Sequence, residues 1–153
     1  METAINEPIK APRVHDQLNR MPEEKPVYHF HEDMTAAPKE WIFVFGSNLA
    51  GFHGAGAAWA ARQFYSAVLG VGEGPTGMSY AIPTKDHNIE TLPIDEVYKA
   101  VRRFVIYTHN HPDKNFFVTR IGCGLAGFTD DQIAPMFAGA INCSFAQEWK
   151  AYL

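Results

Sequence analysis

Residues 41 to 70 read WIFVFGSNLAGFHGAGAAWAARQFYSAVLG, and the order of residue types in that stretch decides the fold class. WIFVF (Trp41 to Phe45) is an unbroken apolar run. A strand with one wet face alternates apolar and polar residues, so a run without alternation predicts a strand covered on both faces. The chain then turns to GSNLAGFHGAG, whose closely spaced glycines demand a tight loop. AAWAARQFYSAVLG is alanine-rich with helical spacing, which predicts an amphipathic helix ending near Gly70. Strand, glycine loop and helix in succession form the opening unit of an α/β domain.

Working outward, VYHFH (Val27 to His31) predicts a preceding strand, and VGEGPTG (Val71 to Gly77) reads as a loop. MSYAIPT follows as a short strand. IDEVYKAVRRFVIYTHNHP sets Val97, Val101, Phe104 and Val105 on one helical stripe. Asp95 and Glu96 lie at its favourable N-terminal end, and the helix must stop before Pro112. NFFVTRIG predicts a further strand, followed at once by a second glycine loop, GCGLAGF. TDDQIAPMFAGA opens with a Thr or Asp cap. INCSF predicts a last strand and AQEWKAYL a terminal helical turn or two. Residues 1 to 25, with Pro8, Pro12 and Pro22 and little periodicity, read as a flexible N-terminal arm without chemistry; residues 26 to 153 read as one domain.

Composition narrows the functional classes. In 153 residues, 46% are hydrophobic, enough to cover a sheet on both faces, and a net charge of -4 argues against duplex nucleic acid as a partner. Two cysteines, Cys123 and Cys143, make no disulfide framework, and no apolar run is long enough to span a bilayer. The start, METAINEPIK, lacks the apolar stretch of a signal peptide. A cytoplasmic protein with no membrane partner is expected.

In alternating α/β chains, ligands bind at the C-terminal ends of the parallel strands, and both glycine loops fall at such ends. The first precedes a helix, whose unpaired N–H groups and dipole favour an anion. The second offers successive N–H groups that form an anion nest. Two nests facing each other suit a diphosphate. Neither loop alone is a known phosphate motif: GxxxxGK[ST] is absent, and so is GxGxxG within a dinucleotide unit. His29 and His31, and His109 and His111, form two HxH pairs, yet no cysteine or carboxylate stands at a supporting metal-ligand spacing, so no metal is assigned.

FVFGSNLAGFHGAGAA and RIGCGLAGF together resemble the macrodomain family, the ADP-ribose-binding α/β module. The second stretch is similar to the phosphate loop of the branch that includes the terminal ADP-ribose protein glycohydrolases. The resemblance covers about residues 27 to 145. It implies a three-layer α/β/α fold with a mixed, largely parallel central sheet, and ADP-ribose or a related nucleotide as ligand, with no cofactor. In the first loop it assigns ligand positions to Gly46, Ser47, Asn48 at the distal ribose, His53, and the run Gly54, Ala55, Gly56, Ala57. In the second it assigns Ile121, Gly122, Cys123, Gly124, Leu125, Ala126, Gly127 and Phe128. HEDMT (His31 to Thr35) is similar to the element that puts an aspartate, here Asp33, near the adenine amino group.

Lys85, in IPTKD, stands where the branch carries a lysine that attacks the ribose C1″ position. Such a lysine must be partly neutral to act. The chain departs from the pattern at Ala126, where hydrolytic members have an acid, and in the first loop, where the glycine triplet becomes HGAGAA. Asp86, Asp130 and Asp131 are the available substitute acids. Three readings therefore stay open: an ADP-ribosyl glycohydrolase acting on ADP-ribosylated macromolecules, a module that binds or sequesters ADP-ribose without turnover, and a hydrolase of another nucleotide diphosphate. Lys85 as a solvated loop cation, Cys123 as a packing residue or a reactive thiol, and Phe52, Phe128 or Trp59 as stacking rings complete the expectations, with Trp59 favoured for the core face of its helix.

Overall fold

The computed structural model describes residues 26 to 153; the expected arm over residues 1 to 25 lies outside the described residues. Among the described residues six strands form one sheet: β1 (His29–His31), β2 (Ile42–Asn48), β3 (Gly74–Thr76), β4 (Ser79–Lys85), β5 (Phe116–Val118) and β6 (Cys143–Ala146), in the order β1-β6-β5-β2-β4-β3. All neighbours are parallel except β3 and β4, which pair antiparallel. Helix α1 (Gly56–Phe64) lies on one face, and α2 (Ile94–Asn110) and the single turn α3 (Asp130–Ile133) on the other. This is the mixed, largely parallel α/β architecture expected.

The unbroken apolar run of β2 explains the layering. Ile42 and Val44 enter the larger core with Phe104, Phe116, Phe145 and Trp149, whereas Phe43 and Phe45 turn to the other side, against Ala58 and Ala61 of α1. Fully burying one such large side chain contributes roughly 1.5–3 kcal/mol. Phe104, on the predicted stripe of α2, is wholly enclosed by edge-on rings of Tyr80, Phe116 and Phe137.

Several element bounds differ from expectation, each for a local reason. The α1 helix stops at Phe64, short of Gly70, because Ser66 takes a left-handed conformation and Ala67 N–H turns back to the Ala61 carbonyl at 3.1 Å. The expected loop over Val71 to Gly77 contains β3, whose pairing with β4 reverses at Gly77. There φ is +58° and a side chain would collide with the Ser66 carbonyl, so glycine is required. β2 runs on through Gly46, Ser47 and Asn48, and β4 reaches Lys85, so both carry site residues to the sheet's C-terminal edge. β5 ends after three residues as Thr119 leaves the ladder, its hydroxyl and N–H both donating to the Val44 carbonyl. The cap of α3 is as expected: Thr129 and Gln132 form a capping box.

Candidate functional site

The C-terminal edge of the sheet opens into a cavity of about 820 Å³. Its walls are the two glycine loops, and its floor is the α1 face of the sheet. The first wall is built on Asn48, whose buried amide grips Phe52: Nδ2 donates to the Phe52 carbonyl at 2.8 Å, and Oδ1 accepts the Phe52 N–H at 3.0 Å. The Phe52 ring stands outward, while the adjacent His53 is fully buried. Ala55 caps α1 with no side-chain hydrogen bond, and the first turn holds no acidic residue. Gly56, Ala57 and Ala58 of this opening turn line the cavity, and no acidic side chain compensates the positive end of the helix there.

In the second wall, Gly122 and Gly127 adopt left-handed φ values of +79° and +88°. Phe128 N–H closes the loop on the Gly122 carbonyl at 2.8 Å, and Gly127 N–H on the Gly124 carbonyl at 3.0 Å. At Gly124 a side chain would meet nothing within 4 Å, so its backbone is open to the cavity. The loop is held from behind by Arg120, which donates to both oxygens of Asp130, at 3.0 and 2.7 Å, and to Asp33 at 3.3 Å. Buried Trp149 donates its indole N–H to the same Asp130 at 2.8 Å. The hydrogen bond from Arg120 holds the Asp130 carboxyl below its ordinary range, and the two carboxylates raise the guanidinium above its own.

The floor is an aromatic row. His31 stacks on Phe117 with ring centres 3.8 Å apart, Phe117 lies near Phe43 at 6.3 Å, and Phe43 stacks on Tyr65 at 4.2 Å. Burial pulls His31 down to about 4, so its ring is neutral at pH 7, with Nδ1 hydrogen-bonded to the Ser144 hydroxyl at 2.7 Å. Lys85 ends β4 half-buried in the lining, with no ion-pair partner among the described residues. Its strand is tied across the cavity mouth: Lys85 bridges Thr91, whose hydroxyl donates to the Ala126 carbonyl at 3.1 Å.

The structure brings together at this cavity Asp33, Gly46, Ser47, Asn48, the run Gly54 to Ala57, Lys85, and the run Ile121 to Leu125. Four expected positions do not line it. His53 is fully buried beneath the loop, edge-on to Phe45, with Nε2 donating to the Val68 carbonyl at 3.2 Å. Ala126 and Gly127 follow the chain away after Leu125, and Phe128 packs back on the core. Trp59 is 46% exposed and pairs edge-on with Phe64, off the core face expected for it. Ser47 lines the cavity while its hydroxyl donates to the Gly72 carbonyl, a contact that fixes the loop.

The substitute acids are committed elsewhere. Asp86 accepts the N–H groups of Asn88 and Glu90 in its own turn, Asp130 is held by Arg120, and Asp131 accepts the Thr129 hydroxyl. In the Cys123 thiol, burial and the neighbouring Asp130 push the pKa up to about 12, which makes it inert rather than reactive. His109 and His111 hydrogen-bond the Gly139 and Tyr107 carbonyls, and among the described residues no group of three or more His, Cys, Asp or Glu is arranged to hold a metal.

Sequence reasoning missed Arg120 and the aromatic floor. The signal for Arg120 was present: it is the one charge between Phe116 and Leu125, between a buried strand and a glycine loop. Phe43, Tyr65 and Phe117 gave no such signal, because core and cavity-floor aromatics look alike in sequence.

Among the described residues no helix is long and apolar enough to cross a membrane. No family model matches the chain, and no curated protein matches it. Among solved structures, the chain is similar to a protein of unknown function from Bacteroides thetaiotaomicron, at 16% identity and a TM-score of 0.56, over 79% of this chain and 98% of that one. At that identity the likeness shows a shared fold alone.

Proposed function

We propose that the cavity binds ADP-ribose or a close relative, with the diphosphate between the Gly54–Ala57 and Gly122–Leu125 loops. The observation that carries this reading is that two glycine loops, one opening an uncapped helix and the other shaped by left-handed glycines, face one cavity of ligand size. Asp33 beside the floor offers a carboxylate to a base amino group while Arg120 orients it.

Calorimetric titration with ADP-ribose and AMP tests the reading. A micromolar dissociation constant for ADP-ribose, on the order of -8 kcal/mol, is expected, with AMP weaker for lack of the second phosphate. Absence of heat and of thermal shift at millimolar ADP-ribose refutes it.

A second reading, binding with slow or no turnover, is favoured by Ala126 and by the commitment of Asp86, Asp130 and Asp131 to other partners. In this reading Lys85 contacts the distal ribose but lacks a base to complete hydrolysis. Release of ADP-ribose from a carboxylate-linked conjugate, followed by chromatography, separates the two.

A further inference from the structure

Among the described residues, five large apolar side chains that line the cavity stand in water, and besides Met34 and Phe64 three of them come from the loops next to Lys85. Phe52 is 60% exposed, Ile89 43% and Leu125 78%, and all three line the cavity. Phe52 and Ile89 are held in place. Asn48 holds both backbone polar groups of Phe52, and the Phe52 ring lies where a side chain at Gly54 would come within 2.6 Å of its Cε2 atom. Ile89 has φ +65°, a conformation that a β-branched residue adopts only at an energetic cost, in a turn braced by the Asp86 carboxylate.

The loops that carry these side chains are tied to Lys85 through the backbone. Asn48 pairs with Lys85 in the sheet register, Thr91 bridges Lys85, and Thr91 also ties to Ala126, the residue after Leu125. Apolar groups held rigidly at the lip of a polar ligand cavity are surface waiting to be covered.

We infer that this end of the cavity receives an uncharged, planar, largely apolar group carried on the distal ribose, so that a whole dinucleotide is preferred over ADP-ribose. The inference rests on the ADP-ribose reading above. The group is uncharged because the charge it meets is Lys85, which has no carboxylate partner among the described residues: Asp86 serves its own turn and Asp130 serves Arg120. A pyridinium would face that lysine as a like charge, whereas a dihydropyridine would not.

Parallel titrations with ADP-ribose, NADH and NAD+ on the wild type, Phe52→Ser and Ile89→Ser test this. NADH is expected to bind about tenfold or more tightly than ADP-ribose, and NAD+ more weakly than NADH. The ratio of the ADP-ribose to the NADH dissociation constant should fall toward one in Phe52→Ser and partway in Ile89→Ser. Both side chains are exposed, and melting temperatures verify that the variants fold. NADH binding no tighter than ADP-ribose, or a preference that survives both substitutions combined, overturns the inference and leaves the ADP-ribose reading standing. Failure of all three ligands overturns both.

Discussion

Replacing Gly124 by glutamate separates backbone recognition of the diphosphate from every other mode of binding. At Gly124 the φ angle is not left-handed and a Cβ meets nothing within 4 Å, so the fold should accept the substitution with its melting temperature within about 2 °C of wild type. The added carboxylate then stands in the cavity beside the proposed diphosphate. Two phosphate charges at ~6 Å, in an open cavity with an effective dielectric of ~40, cost about 3 kcal/mol together, or roughly a hundredfold in affinity. Gly124→Ala adds the same Cβ without the charge and should bind within about threefold of wild type. Calorimetry with ADP-ribose at low and high salt reads both. If Gly124→Glu binds ADP-ribose as tightly as Gly124→Ala, the diphosphate does not lie against the second loop.

Other outcomes follow from the same geometry. Gly51 sits at φ +71° with its missing side chain directed into the Gly70 backbone, so Gly51→Ala should cost at least about 2 kcal/mol in urea unfolding. His31, pulled by burial from 6.5 to about 4, is neutral when folded and takes up a proton on unfolding below pH 6.5, so stability falls as pH drops through that window and levels off near 4. His53 is lowered for the same reason, so His31→Phe should flatten this slope partly rather than wholly. Cys123, with its thiol at about 12, should resist a thiol-labelling reagent at pH 7 in the native protein and react at once in urea; rapid native labelling at Cys123 contradicts the geometry. Carboxylate-linked ADP-ribose should turn over slowly in the wild type, and a residual turnover that survives Lys85→Ala would remove Lys85 from the chemistry.

What could be read in advance depended on how local the determining interaction was. The β2 run, the stripe of α2 and the Thr129 cap are local patterns, and they appear as expected. The end of α1 and the β3 strand hinge on left-handed residues, Ser66 and Gly77, whose conformations are set by packing between distant segments. The same holds at the site. Glycine loops announce themselves by composition, so their edge of the sheet was legible. Which of Phe52 and His53 faces out, and the brace from Arg120 to Asp130 and Trp149 that spans thirty residues of chain, could not be seen from spacing.

The outer edge of the sheet bears on strand pairing between copies of the chain. β3 is three residues long, Gly74, Pro75 and Thr76, and the middle residue has no N–H to offer. A neighbouring copy arriving at that edge finds an interrupted ladder, and the bend at Gly77 turns the chain away after one more residue. β1, at the opposite edge, is equally short. A largely parallel sheet forms slowly from distant segments and leaves its edges bare while it does so. Pro75→Val would complete the donor row at β3, turning a terminus of the sheet into a template for fibrous growth.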